Sequence, residues 1–261
     1  MELEGWSPDQ PFRLEVPGPV PGRGRLGDRP LIVPLAAQPA PAFAPAMAAD
    51  LAELEQRCVR ALAPHVGDAA HDLEHVRRVV RHARQLAAAE GARLEIVVLA
   101  AWLHDCVTVP KDSPQRSQAS RLAAEQARRW LEEWDCPAAW LPDIAHAIEA
   151  HSFTAGIAPR TLEAKVVQDA DRLEALGATG LARCLMLGGA LGRPLYAPED
   201  PFCEHRAPDD RTATVDHFFA KLLRLEATMQ TASGRQEARQ RTDFLRAFLA
   251  QLRREIGPAG L

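Results

Sequence analysis

No apolar run in this 261-residue chain approaches the roughly 18 uninterrupted residues that a membrane-crossing helix needs. No membrane partner is therefore expected. Ordered cysteine is also missing: Cys58, Cys106, Cys136, Cys184 and Cys203 are scattered, with no CxxC pair. An odd, unpatterned set suits reduced thiols in a cytoplasmic protein and excludes a disulfide framework. Cys106 is read as a small buried apolar residue and not as an oxidant sensor. Long basic runs are absent, and at a net charge of -4 the chain lacks the positive footprint of a nucleic-acid binder. Strand-like alternation and internal repeats are not found.

Proline is plentiful but unevenly placed, with 10 of the 21 in residues 1–46. Runs such as Pro17-Gly18-Pro19-Val20-Pro21-Gly22 cannot sustain a helix or a central strand, because proline lacks the amide hydrogen and restricts its neighbour. Residues 1–46 are therefore expected to form a disordered extension. They lack the basic start, apolar centre and cleavage site of a signal peptide. Residues 47–261 are expected to form one all-α domain.

Within that domain, apolar residues recur at three and four. Leu51, Leu54, Cys58 and Leu62 form one stripe, and Leu73, Val76, Val79, Val80, Ala83, Leu86 and Ala87 form another. Gly91 is placed to end the second helix. The run Leu94–Leu103 reads as a buried helix, although Ile96-Val97-Val98 alone could pass for a strand. Ser113-Pro114 offers an N-cap and a first helical proline for a helix to about Asp135. Further helices are expected at 138–152, 160–176, 179–187 (interrupted at Gly188-Gly189), 216–231 and 236–256. In the last of these, Phe244, Leu245, Phe248, Leu249, Leu252 and Ile256 form a core stripe. The polar stretch 192–210 is long enough for a lid or binding loop.

The chemistry is expected where the apolar run stops, at His104-Asp105. An imidazole and a carboxylate at the end of a buried segment each need a partner to offset desolvation, and a divalent metal suits both. His75 stands 29 residues upstream and Asp171 stands 66 residues downstream of Asp105, in Asp169-Ala170-Asp171-Arg172-Leu173. On a helix, Asp169 and Asp171 point about 200° apart, so only one of them can reach a common ion.

The order His, then His-Asp, then Asp in an Ala-Asp-Arg-Leu context resembles the HD superfamily of metal-dependent phosphohydrolases. The runs 70–80, 145–153 and 163–182, with Glu199-Asp200-Pro201-Phe202, are similar to the bacterial YedJ-like predicted phosphohydrolases, and the likeness spans roughly residues 48–256. It implies an HD-type helical bundle with His75, His104, Asp105 and Asp171 as metal ligands. It also selects Asp171 over Asp169, which is left as an acceptor that fixes a ligand imidazole or as a capping carboxylate. Met47, where the likeness begins, is a candidate translation start.

Members that bind two metals carry two extra histidines, one of them early in the helix after the dipeptide. Ser117–Leu122 has none here, so one ion is expected. His151 matches the later position, where it is expected to bind phosphate or protonate a leaving oxygen; His146 is read as structural. The donor set of imidazole and carboxylate fits manganese first, with iron, cobalt, nickel, zinc or magnesium as the other candidates. Such an ion brings the pKa of a bound water to roughly 7 to 9, and Asp105 is expected both to ligate it and to orient that water. Lys111 and Arg116, in the segment after the dipeptide, are the leading cations for holding phosphate, ahead of Arg78 and Arg172. His65, His82, His205 and His217 have no motif around them.

The expected partner is a small phosphorylated substrate, a nucleotide before an alarmone or another phosphoester. Trp102, Phe153, Tyr196 and Phe202 are candidates to stack a base. His71 and His75 share the i, i+4 spacing of zinc peptidases, but Asp72 stands where those enzymes need glutamate. A cyclic-dinucleotide phosphodiesterase lacks support because Gly-Tyr-Pro does not occur. A regulatory module that binds a nucleotide or metal without turnover is the non-enzymatic alternative.

Overall fold

The computed structural model describes residues 45–63, 73–109, 113, 115–257, with side chains from residue 51 onward. All of them belong to the unit Ala42–Leu261. Lys111, His65 and His71 lie outside the described residues, as does nearly all of the proline-rich segment.

Among the described residues every regular element is a helix. The first, α1 (Pro45–Leu62), starts on proline, whose missing amide costs nothing in a first turn. Its expected stripe, Leu51, Leu54, Cys58 and Leu62, is buried. Next, α2 (Leu73–Glu90) buries Val76, Val79, Val80, Ala83, Leu86 and Ala87. It ends as the sequence suggests: Gly91 takes φ +73°, and the Ala92 amide reaches back to the Ala87 carbonyl.

The centre of the molecule is α3 (Leu94–Leu103), buried from Glu95 to Leu103. It is surrounded by α1, α2, α4 (Ala119–Glu133), α5 (Leu141–His151) and α6 (Leu162–Leu173). Such all-round apolarity explains why Ile96-Val97-Val98 is helical despite its β-branched residues. Full burial of each large aliphatic side chain contributes about 1.5–3 kcal/mol, which outweighs the small helix-propensity cost.

Several expected boundaries move. Ser113 does not open a long helix: it closes a turn through its hydroxyl and carbonyl, and a 3-10 turn, Arg116–Gln118, precedes α4. At the other end Asp135 takes φ +57°. The helix α7 (Gly177–Ala190) runs straight through Gly188-Gly189. Gly188 is there for close approach, since a Cβ would stand 2.2 Å from the Thr214 hydroxyl.

The expected helix 216–231 is broken into α8 (Asp216–Ala220) and two 3-10 turns, Leu222–Arg224 and Glu226–Thr228. Along this broken path Phe218, Leu222, Leu225 and Met229 are buried in succession. Finally α9 (Ala232–Ile256) starts earlier than expected, capped by the Thr231 hydroxyl, which accepts from the Gly234 amide. Of its predicted stripe, Leu245, Leu249 and Leu252 are buried, whereas Phe244 is 47% exposed.

Candidate metal centre

Four helices, α2, α3, α5 and α6, bring their ends together. His75 sits in the first turn of α2, and His104 is the C-cap of α3 with Asp105 next to it. His151 is the last residue of α5, and Asp171 lies in the last turn of α6. Three of these ends are helix C-termini, whose partial negative charge favours a cation nearby. The sequence could not show this convergence, because helix packing sets it.

Each imidazole is held by its Nδ1 and presents Nε2. At His104, Nδ1 donates to the Ala101 carbonyl at 2.8 Å, and at His151 it donates to the Ile148 carbonyl at 2.6 Å. Both acceptors are last-turn carbonyls, so the bond ties each ring to its own helix end and sets the tautomer. At His75, Nδ1 lies 3.4 Å from the buried Glu174 carboxylate. The Arg183 guanidinium, which can only donate, also stands 3.3 Å from this nitrogen. The buried anion has the stronger claim, and we assign the proton to Nδ1.

The freed atoms converge. His75 Nε2 is 3.7 Å and His104 Nε2 is 3.8 Å from Asp171 Oδ1. Asp105 bridges two imidazoles, with Oδ2 3.6 Å from His104 Nε2 and Oδ1 3.4 Å from His151 Nε2. His75, His104 and Asp171 form one group able to hold a metal ion, and His104, Asp105 and His151 form another, with ligand atoms within 4.8 Å of one another in each. His104 is common to both. Its Nε2 is fully buried and has no hydrogen-bond partner, an expensive state for an imidazole nitrogen unless an ion completes it. The donor set therefore fits a divalent metal.

Electrostatics agree with this geometry. Burial, the largest influence, lowers the His104 pKa and keeps the ring neutral, as a ligand must be. Burial also opposes charge on His151, but the Asp105 carboxylate outweighs it and raises the pKa above the ordinary histidine value. Asp105 and Asp171 side chains are about 30% and 29% exposed, so the cluster opens on its carboxylate side.

Residues beyond the ligand set correct several expectations. Asp169 does not touch an imidazole; it is buried and accepts from the Gln230 and Thr231 amides and the Thr231 hydroxyl, which fastens the start of α9. The acceptor that holds His75 is Glu174, one turn beyond Asp171, which the sequence reading passed over. Burial pushes its pKa up, but contacts with His75, His82 and Arg78 hold it well below the ordinary carboxylate value. His82 thus gains a role, with Nε2 3.3 Å from Glu174 Oε1.

Of the expected phosphate-holding cations, Arg78 pairs with Glu174 at 2.7 Å, Arg172 donates to the Thr228 carbonyl and Arg116 donates to the Val109 carbonyl. His146 is structural, accepting from the Arg160 amide at 2.9 Å. Two proposed base-stacking residues are committed elsewhere. Trp102 is 7% exposed and donates to Glu55, and Phe202 is 7% exposed beneath the Arg253 guanidinium.

Comparison with known proteins agrees with the geometry. The HD domain family model matches residues 72–176, which contain every residue of the cluster. The protein YpgQ of Bacillus subtilis is 34% identical over 190 residues, covering 71% of this chain and 84% of YpgQ. The crystal structure of YpgQ in complex with ADP superposes with a TM-score of 0.62, covering 81% of this chain and 97% of that one at 30% identity. An HD-superfamily hydrolase from Bacillus thuringiensis gives a TM-score of 0.61 at 32% identity, covering 79% of this chain and 97% of that one. With His104-Asp105 inside the matched segment and the helical architecture shared over about four fifths of the chain, this chain belongs to the HD-domain family.

Proposed function

We propose that the protein is a metal-dependent phosphohydrolase that cleaves a phosphoester or phosphoanhydride of a nucleotide. The observation that carries this reading is the buried, unpartnered Nε2 of His104 at the junction of both ligand groups. His75, His104, Asp105 and Asp171 would hold one divalent ion, with manganese the first choice for this mixed nitrogen and oxygen set. When bound, such an ion supplies Lewis acidity for a phosphoryl oxygen and acidifies water near neutral pH.

The chain's own residues supply orientation and a proton. Asp105 turns one oxygen to His104 and the other to His151, so its second oxygen is placed to align an attacking water. His151, whose protonated form the Asp105 carboxylate favours against burial, would pass a proton to the departing oxygen or bind a phosphoryl oxygen. Glu174 keeps the His75 ring in register. Lys111 and Arg116, on the segment that follows the dipeptide, are retained as candidates for contacting the phosphate chain. The ADP bound to YpgQ supports a nucleotide as the substrate class.

The test is a nucleotide panel assayed for phosphate and pyrophosphate release after metal removal and manganese reloading. Metal-dependent pyrophosphate release makes the enzyme a nucleotide pyrophosphohydrolase, and phosphate release alone makes it a phosphatase. Absence of release from nucleotides and from simple phosphoesters alike would overturn the reading in favour of a binding module.

A further inference from the structure

A phosphate group brings negative charge to the metal centre, so a site that binds one needs a cation beside the ligands. Three arginines suggested by the sequence are engaged elsewhere: Arg78 by Glu174, Arg116 by the Val109 carbonyl, and Arg172 by the Thr228 carbonyl, with the Phe153 ring 5.8 Å from its guanidinium. A fourth, Arg183, is singled out by no motif and comes from α7, which supplies no ligand. Its guanidinium Nη1 nonetheless stands 3.3 Å from Nδ1 of His75, whose Nε2 faces Asp171. The width of one imidazole separates it from the ligand atoms.

Local backbone puts it there. Gly177, at φ +68°, turns the chain out of the segment after α6, and at Gly180 a Cβ would stand 2.2 Å from the Ala175 carbonyl carbon, so both positions call for glycine. The first turn of α7 is thus folded against the residues that follow Asp171. Arg183, three positions after Gly180, lies on the same side of the helix, and packing against α9 holds the helix in place. The Arg183 side chain is half-buried, and Met186 and Leu187, three and four residues further on, are 68% and 41% exposed. The guanidinium therefore stands at the cluster and borders open surface.

The contact with His75 is not a hydrogen bond. A guanidinium only donates, and Nδ1 carries the proton that faces Glu174. Nor does Arg183 help to bind a metal, because a positive charge one ring away from the ligand atoms repels a divalent cation. An anion at the same place gains from both charges, and the planar fork of N–H groups matches the oxygens of a phosphoryl group. We propose that Arg183 holds the phosphate of the substrate at the metal centre, donating from its guanidinium to phosphoryl oxygens. The inference rests on the proposed function, for which it names the phosphate contact.

The test is calorimetric titration of manganese into the metal-free full chain and of inorganic phosphate into the manganese-loaded one, for the unaltered protein, Arg183→Gln and Arg183→Lys. Loss of charged hydrogen bonds should weaken phosphate binding by roughly 10- to 100-fold in Arg183→Gln. The loss should be smaller in Arg183→Lys, which keeps the charge without the fork. Manganese affinity should be unchanged or higher in both. Should Arg183→Gln fail to fold, a selective loss of phosphate affinity in Arg183→Lys carries the test, and failure of both to fold would make the residue structural and overturn the proposal. Phosphate affinity untouched by either substitution would also overturn it. So would a fall in manganese affinity, which would make Arg183 a brace for His75. An unaltered protein that binds no phosphate yet hydrolyses nucleotides would overturn this contact alone, and absence of both binding and hydrolysis would overturn the hydrolase reading with it.

Discussion

Two clusters of this molecule set aspartates against nitrogen groups and end differently. Around Asp216, fully buried at the start of α8, both carboxylate oxygens are taken by Arg206, and one also accepts from the Asp209 amide at 2.7 Å. Around His104 the carboxylates of Asp105 and Asp171 stop at 3.6 and 3.8 Å from its nitrogen, too far to bond and near enough to share an ion. In the first cluster the carboxylate is fully taken by the protein itself. The second brings imidazoles and carboxylates together without bonding them to one another, which is what the proposed metal chemistry needs. Asp169 and Asp171, two positions apart on α6, divide in the same way.

This contrast can be broken at either end. The largest effect is expected at the open cluster, where Asp105→Ala should cut hydrolysis by roughly 1,000-fold or more with helical content unchanged. Circular dichroism beside an activity assay checks it; joint loss of fold and activity would make the ion structural.

At the closed cluster, Arg206→Ala leaves a buried carboxylate without its partner and should cost about 2–3 kcal/mol. That is the low end for a buried pair, because Arg206 is 25% exposed. Urea midpoints should fall while metal affinity stays the same. Burial pushes the Asp216 pKa up, but Arg206 outweighs it and holds the folded value below the ordinary one. Its stabilisation is therefore complete above the unfolded carboxylate pKa of about 4 and is lost as pH falls toward the lower folded value. Arg206→Ala should flatten that acid limb. An unchanged limb would place the acid sensitivity elsewhere.

Between the two lies Glu174, which belongs to the site: one oxygen is taken by Arg78 and lies near His75, and the other faces His82 at 3.3 Å. Glu174→Gln should weaken metal binding by roughly 10- to 100-fold, measured by metal titration, with a smaller loss of thermal stability. The smallest effect is expected at Gly188, which touches neither set of charged groups. Gly188→Ala pushes a methyl group against Thr214, and the midpoint of thermal unfolding should fall by an amount equivalent to about 1 kcal/mol.

The parts of this account that sequence could supply were those carried by periodicity and by local chemistry. The α2 stripe and Gly91 follow from i, i+3, i+4 spacing and a turn that needs positive φ, and α3 follows from its unbroken apolarity. His75, His104, Asp105, Asp171 and His151 were named from motif context and are brought together in the fold. Glu174 was hidden because a glutamate at a helix end is nearly always solvated, and only the packing of α2 against α6 buries it. Asp169 was ambiguous for the opposite reason: its partners, Gln230 and Thr231, are about 60 residues away. The break-up of 216–231 depends on which of its apolar residues meet the core, which local spacing does not encode.

The most direct measurement is a manganese titration of metal-free protein, followed by calorimetry or electron paramagnetic resonance, beside His104→Ala. One ion per chain, lost in the variant while its helical content persists, is the result expected if His104 is the junction of the ligand set. An ion still bound with undiminished affinity in His104→Ala, or two ions in the unaltered protein, would contradict it.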